Sequence, residues 1–310
     1  MGGGRDPGQA QVEALRKDRR RSLRMRAQRG IEKPNVKVAE TPDEFDAAFR
    51  LAHDVYVEMG YSRPHPSGLR VLLHQTVPGN LVFLARDERF VLGTVTLIPD
   101  GLLGLPMDDI YRGELGEFRD RGRRIAEVSA LAVDSRYRWL LIDEDGRRRG
   151  VFWLLHQAVL YYALRTGIHH LVITVNPRHA PFYERLYLFE RFGEVKSYGT
   201  VQGAPAVPLH LDLTRLPERL GRAVAESERM FGLATFFFRL EHGFFQGEED
   251  LPGMDPPTAR YFLSRSGALD SVPRALGDAF ARAHGFRDLD EFLSAVPEPR
   301  LLPCSRSANP

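Results

Sequence analysis

The sequence predicts an α/β fold with a mixed central sheet and a helical C-terminal extension, on three observations. Segments with strand-like and helix-like patterning alternate between residues 36 and 213. One helix-like run, residues 151–166, is apolar nearly all round and stands between two apolar strand-like runs, as expected of a helix packed on a sheet. Residues 215–310 show helical patterning only.

Composition and charge bound the class of protein. With 310 residues, 43% hydrophobic and 27% charged, the chain resembles ordinary globular proteins and can bury a core. Its one cysteine, Cys304, excludes an intrachain disulfide framework and suits a reducing compartment. Neither a membrane-spanning run of about 20 apolar residues nor a secretory signal is expected, so we predict a cytoplasmic location.

We predict three parts: a basic flexible arm (1–34), an α/β domain (35–214) and a helical extension with a disordered tail (215–310). The arm carries eight basic residues between Arg16 and Arg29, with a helix over 12–28 that forms on a partner. Such a cluster can meet an acidic carrier protein, a phosphate group or an anionic membrane, or it is simply solvated. Nucleic acid is disfavoured, because the basic residues are not interleaved with aromatic ones.

The first half of the predicted domain has one helix and four strands. A strand over 36–39 precedes Thr41-Pro42-Asp43-Glu44, which has the cap, the proline and the acidic residue of a helix start. Strands over 81–85 and 90–97 form a hairpin. We expect loops over 99–123 and a strand over 125–133.

The second half alternates helices and strands. After the helix over 151–166 we predict a strand (169–175), a short helix (179–186) and strands over 193–198 and 207–213. In the extension we predict helices over 219–242, 273–284 and 289–296, with Pro252, Pro256 and Pro257 breaking the chain between the first two. The phenylalanines of 231–245 either line a tunnel for an acyl chain or form an ordinary helix core.

Three consecutive segments carry a family resemblance. Ile125-Ala126-Glu127-Val128-Ser129-Ala130-Leu131-Ala132-Val133-Asp134, Leu171-Val172-Ile173-Thr174-Val175-Asn176 and Pro177-Arg178-His179-Ala180-Pro181-Phe182-Tyr183-Glu184-Arg185-Leu186 together resemble the core of the GNAT acyltransferases. More narrowly, they are similar to the long-chain N-acyl amino acid synthases and the related acyl-homoserine-lactone synthases.

The resemblance implies the GNAT fold and an N-acyltransferase that takes a long acyl group from an acyl carrier protein. It implies no permanently bound cofactor and no metal, only a thioester donor on a carrier's phosphopantetheine or on coenzyme A. The acceptor it implies is the amine of an amino acid. The alternatives are an acetyl-CoA-dependent N-acetyltransferase and a non-catalytic GNAT-like binding module.

The resemblance also implies a donor site. Arg147-Arg148-Arg149-Gly150-Val151 satisfies the first part of the family's phosphate-binding loop, since arginines and the free N–H groups of a helix start can hold phosphate. Phe152 replaces the family's last small residue, and the insert 139–145 lengthens the approach, so we favour a carrier protein over coenzyme A. Val133 and Asn176 complete the expected donor site.

Three residues are candidates for catalysis. A glutamate among apolar strand residues is costly unless it faces a cleft, so Glu127 is a candidate general base, or a carboxylate paired with an arginine. Tyr183 resembles the family's acid for the departing thiolate, or is a core tyrosine. His179 is an alternative acid or a polar surface residue.

Two departures from the lactone synthases bear on the acceptor. Ala130 stands where they have arginine after the strand glutamate, and Ala52 stands where their first-helix arginine is expected. These departures disfavour S-adenosylmethionine and favour an amino acid.

Overall fold

The computed structural model describes residues 35–87, 90–137, 141–142, 148–226, 253–270 and 272–297, with only the backbone at 141–142 and 148–149. The predicted arm, most of the insert, the phenylalanines of 231–245 and Cys304 lie outside these ranges. Within them, no helix is long and apolar enough to cross a membrane.

A mixed sheet forms the centre of the fold, as predicted. The strands are β1 (Asn35–Val38), β2 (Leu81–Arg86), β3 (Val91–Pro99), β4 (Ile125–Val133), β5 (Leu141–Ile142), β6 (Arg148–Arg149), β7 (His170–Val175), β8 (Glu190–Arg191), β9 (Lys196–Tyr198) and β10 (Ala204–Asp212). In the large sheet the order is β1-β2-β3-β4-β7-β10-β8, and β9 also pairs with β10. Among the strand pairs of the described residues, β4–β7 alone is parallel. Strands β5 and β6 pair separately.

Helices cover both faces of the sheet. They are α1 (Pro42–Glu58), α2 (Asp108–Asp120), α3 (Val151–Arg165), α4 (Ala180–Tyr187), α5 (Leu216–Glu226), α6 (Pro256–Ser266), α7 (Arg274–Ala283) and α8 (Leu289–Ala295). The predicted start of α1 is confirmed: the Thr41 hydroxyl accepts from the Glu44 N–H, and the Glu44 carboxylate accepts from the Thr41 N–H.

Two helices contradict the sequence expectation. Residues 99–123 are not all loop, because α2 forms there and packs Tyr111, Leu115 and Phe118 against strand residues such as Ile98 and Val172. Glycines within α2 weaken its helical signal, and tertiary packing overrides them. The prolines at 256–257 begin α6 rather than break the chain: they occupy its first turn, where a missing N–H costs nothing, and Asp255 accepts from the Thr258 N–H at 2.7 Å.

The two faces of the sheet have separate cores. On one face, here called the front face, β2 packs against α1 and the C-terminal helices α6–α8, and α2 packs against β3, β4 and β7. On the other, the back face, α3, α4 and the start of α5 pack against β2, β3, β7 and β10. Strand β4 contributes side chains to both faces, so any opening beside β4 can connect them.

Candidate active site

The central strands β4 and β7 separate part of the way along the sheet. Their parallel ladder runs from Ile125, opposite His170, to Glu127, opposite Val172, and ends there. Beyond that point β7 stays paired with β10 as far as Val175, while β4 stays paired with β3. A gap therefore opens in the sheet just after Glu127.

A β-bulge in β4 lies beside this gap. Ser129 pairs with Thr96 and Ala132 with Thr94, so Ala130 and Leu131 both face one residue of β3. Ala130 has a φ of 51°, in the left-handed region that non-glycine residues seldom occupy. Backbone strain of this kind persists where the surrounding fold enforces it, and such positions concentrate at functional sites. The bulge takes backbone groups of β4 out of the regular register at the edge of the gap.

Glu127 stands at the head of the gap with its carboxyl group on the front face. The residue is 2% exposed, and its Oε2 accepts the Met107 N–H at 2.9 Å. Burial raises the pKa of this carboxyl to about 8, with smaller contributions from the charges of Asp108 and Asp109. The Met107 and Ser129 hydrogen bonds oppose the rise. No arginine is paired with it, so within the described residues Glu127 is not the ion-pair partner that the alternative interpretation required.

A partly buried ion cluster holds the Met107 N–H in place. The Arg119 guanidinium binds both Asp100 and Asp108 at 2.7 Å, and the Asp108 carboxylate accepts the Leu105 N–H at 2.7 Å. These contacts hold the turn that begins α2, of which Met107 is the cap residue. The donor to Glu127 is therefore held by a network and not by a free loop.

Three further side chains lie on the same face as Glu127. Tyr56 lies in the last turn of α1, Arg70 lies in the loop after α1, and Tyr198 ends β9 with its hydroxyl donating to the Pro106 carbonyl at 3.0 Å. The Arg70 guanidinium carbon lies 3.9 Å from the centroid of the Tyr56 ring. Burial raises the pKa of both tyrosines; the Glu127 charge adds to that rise and the Arg70 charge opposes it. Glu127 and Arg70 thus act electrostatically on the same two hydroxyls.

Tyr183 approaches the gap from the back face. It is 9% exposed, in α4, and burial raises the pKa of its hydroxyl well above the ordinary value, with a smaller effect of Tyr56. The raised pKa keeps this hydroxyl protonated. Because no hydrogen bond within the described chain reaches it, the hydroxyl is free to donate. Its electrostatic coupling to Tyr56, which packs on the front face, links the two sides of the gap.

An apolar cavity opens on the back face beside the same gap. It lies between the sheet and helices α3, α4 and α5. Its lining is Val128, His156, Val159, Leu160, Leu171, Ile173, Leu186, Tyr187, Leu188, Phe189, Leu211, Leu216 and Leu220. Burial lowers the pKa of His156 to about 4, so this histidine is neutral and adds no charge to the cavity. Val128 follows Glu127 directly in β4, and the two side chains point to opposite faces.

The start of α3 forms a tight corner with the sheet. Gly150 caps the helix without a side-chain hydrogen bond, and Val151 packs so closely on Gly93 of β3 that a Cβ there would lie 2.6 Å from its Cγ1. The Phe152 ring packs against those of Phe182 and Tyr183, at centroid distances of 5.6 and 6.4 Å. The side chains of Arg147, Arg148 and Arg149 lie outside the described part of the structure.

The other predicted site residues lie around the gap. Val133 ends β4, buried opposite Gly93. Asn176 caps the short 3-10 helix Pro177–His179, and its Oδ1 accepts the Arg178 N–H at 3.2 Å. His179 is exposed, and its Nε2 accepts from Arg178 at 3.1 Å. Among the predicted residues, Glu127 and Tyr183 are therefore the two that face the gap from its two sides.

Sequence reasoning missed the surroundings of Glu127. In the sequence, Tyr56 belongs to the apolar stripe of the first helix, and no pattern assigns a role to Arg70, Tyr198 or Met107. Tyr56 carries one signal that can be read from the sequence, a hydroxyl at the end of an otherwise apolar stripe. The other three come from separate segments, and only the tertiary fold brings them together.

Comparison with known proteins identifies relatives of this arrangement. The family model described as N-acyl amino acid synthase FeeM matches residues 47–212, more than half of the chain. The solved structure of FeeM, an N-acyl amino acid synthase from uncultured soil microbes, is 33% identical, with a TM-score of 0.50 over 59% of this chain and 91% of that one. No protein in the curated set matches the chain.

Two more distant structures are also similar. The AHL synthase LasI is 18% identical with a TM-score of 0.46, over 60% of this chain and 94% of that one. An acyl-CoA N-acyltransferase from Pseudomonas aeruginosa is 15% identical with a TM-score of 0.38, over 57% of this chain and 99% of that one.

Proposed function

Because the chain belongs to the FeeM family of N-acyl amino acid synthases, we propose that it transfers a long-chain acyl group from an acyl carrier protein to the amine of an amino acid. Family membership makes the protein an acyltransferase with a GNAT fold. The donor, the chain length and the acceptor are the proposed part. One observation carries the proposal: a buried carboxyl and an apolar cavity lie on opposite faces of one strand, beside a gap in the sheet.

Glu127 acts as the general base. The amine nitrogen attacks the thioester carbon, a C–N bond forms, and the nitrogen gives a proton to the Glu127 carboxylate, directly or through water. A carboxyl whose pKa is about 8 is a far stronger base than an ordinary glutamate, and its pKa lies close to the working pH. The Met107 N–H orients the carboxyl group for this step.

Tyr183 protonates the leaving group. As the C–S bond breaks, the thiolate takes the proton of the Tyr183 hydroxyl, which no other described group engages. We propose that backbone groups of the bulge at Ala130 and Leu131 hold the thioester oxygen while charge develops on it. His179, exposed and turned toward Arg178, is the weaker candidate for the acid.

A carrier-protein donor is supported by the corner at α3. Its uncapped helix start offers N–H groups for one phosphate, as Gly150 and Val151 were expected to do. The Phe152 ring fills space between α3 and α4, which leaves less room for the pyrophosphate of coenzyme A. Arg147, Arg148 and Arg149 supply positive charge at the same loop, which suits an acidic carrier surface. We propose that Val133 and Asn176 contact the pantetheine arm.

The apolar cavity supports a long acyl chain. Its lining is aliphatic and aromatic apart from the neutral His156 and the hydroxyl of Tyr187, so it is predominantly apolar and favours a hydrocarbon. The cavity begins at Val128, next to the base, so a chain lying in it starts at the reacting carbonyl. An acetyl group would leave most of this lining uncovered.

Competition between donors tests the proposal. Purified protein is offered palmitoyl carrier protein, palmitoyl-CoA and acetyl-CoA, each with a mixture of amino acids, and products are identified by mass spectrometry. We expect N-palmitoyl amino acids, formed fastest from the carrier protein. Efficient turnover of acetyl-CoA alone would establish the N-acetyltransferase alternative instead.

The remaining expectations can be tested separately. We propose that residues 35–214 form the transferase domain, with 215–310 as its extension, and that the basic arm contacts the carrier protein or an anionic membrane. Vesicle sedimentation with and without residues 1–34 tests the membrane contact. The predicted cytoplasmic location is tested by cell fractionation.

A further inference from the structure

Arg70 is a buried cation without an anionic partner. It is 9% exposed, and its Nε donates to the Ser62 hydroxyl at 3.2 Å. Its Nη1 is buried with no hydrogen-bond partner, and no carboxylate of the described chain forms an ion pair with it. The Tyr56 ring beneath it provides a cation–π contact but no negative charge. A guanidinium in this setting leaves a strong donor unsatisfied, which is costly unless a ligand supplies the anion.

Another partly buried arginine of the same fold shows the contrast. Arg119 binds Asp100 and Asp108, each at 2.7 Å. The charge of Arg119 is therefore neutralised by carboxylates of the protein itself. Arg70 has no such partner among the described residues: the groups that act electrostatically on it are the hydroxyls of Tyr56 and Tyr198.

The loop that carries Arg70 lies across the opened end of the gap. It joins α1 to the 3-10 helix Leu73–Thr76. In this loop the Tyr61 hydroxyl accepts from Arg178, which follows β7, at 3.1 Å, and the Gly60 carbonyl accepts from Gln202, which follows β9, at 3.5 Å. Arg70 therefore lies on the same face as Glu127, and each of the two residues interacts electrostatically with the Tyr56 and Tyr198 hydroxyls.

We propose that Arg70 binds the α-carboxylate of the acceptor and so restricts the enzyme to free α-amino acids. The α-carboxylate and amine of an amino acid are joined through one carbon, so an acceptor held by Arg70 presents its nitrogen toward the base at Glu127. The planar guanidinium fork suits a carboxylate. The donor's phosphate is a less suitable anion, because its expected site at the start of α3 is on the back face.

The role of Arg70 rests on the proposed function, and the following experiment distinguishes a failure of the Arg70 assignment from a failure of the proposed function. Mass spectrometry first identifies the best acceptor for the wild-type protein with palmitoyl carrier protein. Steady-state kinetics then compare this amino acid with its carboxamide, which keeps the amine and side chain but lacks the negative charge. For the wild type, we expect kcat/KM to be about 10- to 100-fold higher for the acid, the value of a charge-assisted hydrogen bond.

Arg70→Gln is the test variant, and Arg63→Gln is its matched control. Arg63 lies in the same loop, is exposed, and forms no ion pair or hydrogen bond within the described chain. In Arg70→Gln we expect the acceptor KM to rise about 10- to 100-fold, the donor KM and the kcat to change little, and the acid-to-carboxamide preference to disappear. Arg63→Gln should match the wild type in all four quantities.

Three outcomes are informative. If the wild type makes no N-acyl amino acid, the proposed function fails. If it makes them but uses acid and carboxamide equally well, or if Arg70→Gln keeps the wild-type acceptor KM, the assignment of Arg70 fails alone. If its melting curve shows that Arg70→Gln does not fold, the acid-to-carboxamide comparison in the wild type still tests the assignment of Arg70.

Discussion

The front and back faces of the sheet differ in chemistry where β4 and β7 separate. The front face presents a buried carboxyl, a buried guanidinium and two tyrosine hydroxyls, all from segments distant in sequence. Among the described residues, the back face presents the Tyr183 hydroxyl and a mainly apolar cavity. From this difference we propose that a small polar acceptor and a long apolar donor approach from opposite sides and react in the gap.

Removal of the front-face base should have the largest effect. Glu127→Gln keeps the shape and the oxygen that accepts the Met107 N–H, but it cannot take a proton. We expect kcat to fall by about 10²–10⁴-fold, with acceptor and donor KM nearly unchanged. Steady-state kinetics with a long-chain donor measure the change. A variant with wild-type kcat would remove Glu127 from the chemistry.

The same substitution should alter how stability depends on pH. In the folded protein the Glu127 pKa is raised to about 8 from an unfolded value of about 4.5, so the folded state holds the extra proton between these limits. This contribution is fully present below about pH 4.5 and is lost as the pH rises through 8. Relative to the wild type, Glu127→Gln should gain stability between pH 5 and 8 in urea titrations. A constant difference across that range would contradict the raised pKa.

The pH dependence of the wild-type rate should be the next largest effect. Only the ionised carboxyl is a base, so kcat/KM should rise about tenfold per pH unit below 8 and level off above it. The acceptor's own ammonium also titrates, and the residual rate of Glu127→Gln supplies that baseline. A wild-type profile parallel to that of the variant would show that the Glu127 ionisation does not limit the rate.

Removal of the back-face hydroxyl should have a smaller effect. Tyr183→Phe deletes the proton donor to the thiolate, and water can replace it in part, so we expect kcat to fall about tenfold. Because no described group hydrogen-bonds to this hydroxyl, the melting temperature should not drop. Loss of folding stability without loss of kcat would assign Tyr183 to the core alone.

A change in the cavity should affect the donor only. Val159 of α3 is 2% exposed and lines the cavity, and Val159→Phe adds a ring to it. We expect the ratio of kcat/KM for palmitoyl over butanoyl carrier protein to fall about tenfold, with the acceptor KM unchanged. Val159→Ala, which enlarges the cavity, is the control and should retain the long-chain preference. An unchanged ratio in Val159→Phe would place the acyl chain elsewhere.

The back face was easier to predict than the front. Its parts follow one another in sequence: the apolar helix α3, the strand β7 and the Phe182-Tyr183 helix each have a periodicity that predicts the element and its buried side. Glu127 was also identifiable, because a carboxylate inside an apolar strand needs an explanation. The front face depends instead on pairings between separate segments, such as Met107 with Glu127, 20 residues apart, or Arg70 with Tyr198, about 130 residues apart, which local patterns do not contain.

Two errors in predicting helices from the sequence have the same cause. The glycines of α2 and the prolines of α6 weaken helix propensity, and the packing that compensates for them involves residues far along the chain. In α6 the prolines occupy the first turn, where they are tolerated, so the Asp255 cap before them was the more informative signal.

A crystal structure of the enzyme with its own N-acyl amino acid product tests the central claim most directly. We expect the product to pass through the gap. Its carboxylate should lie at Arg70 on the front face, and its amide nitrogen should lie within hydrogen-bond distance of Glu127. Its alkyl chain should lie beside Val128 and Val159 on the back face. A product whose head group and alkyl chain both lie on one face of the sheet would contradict it.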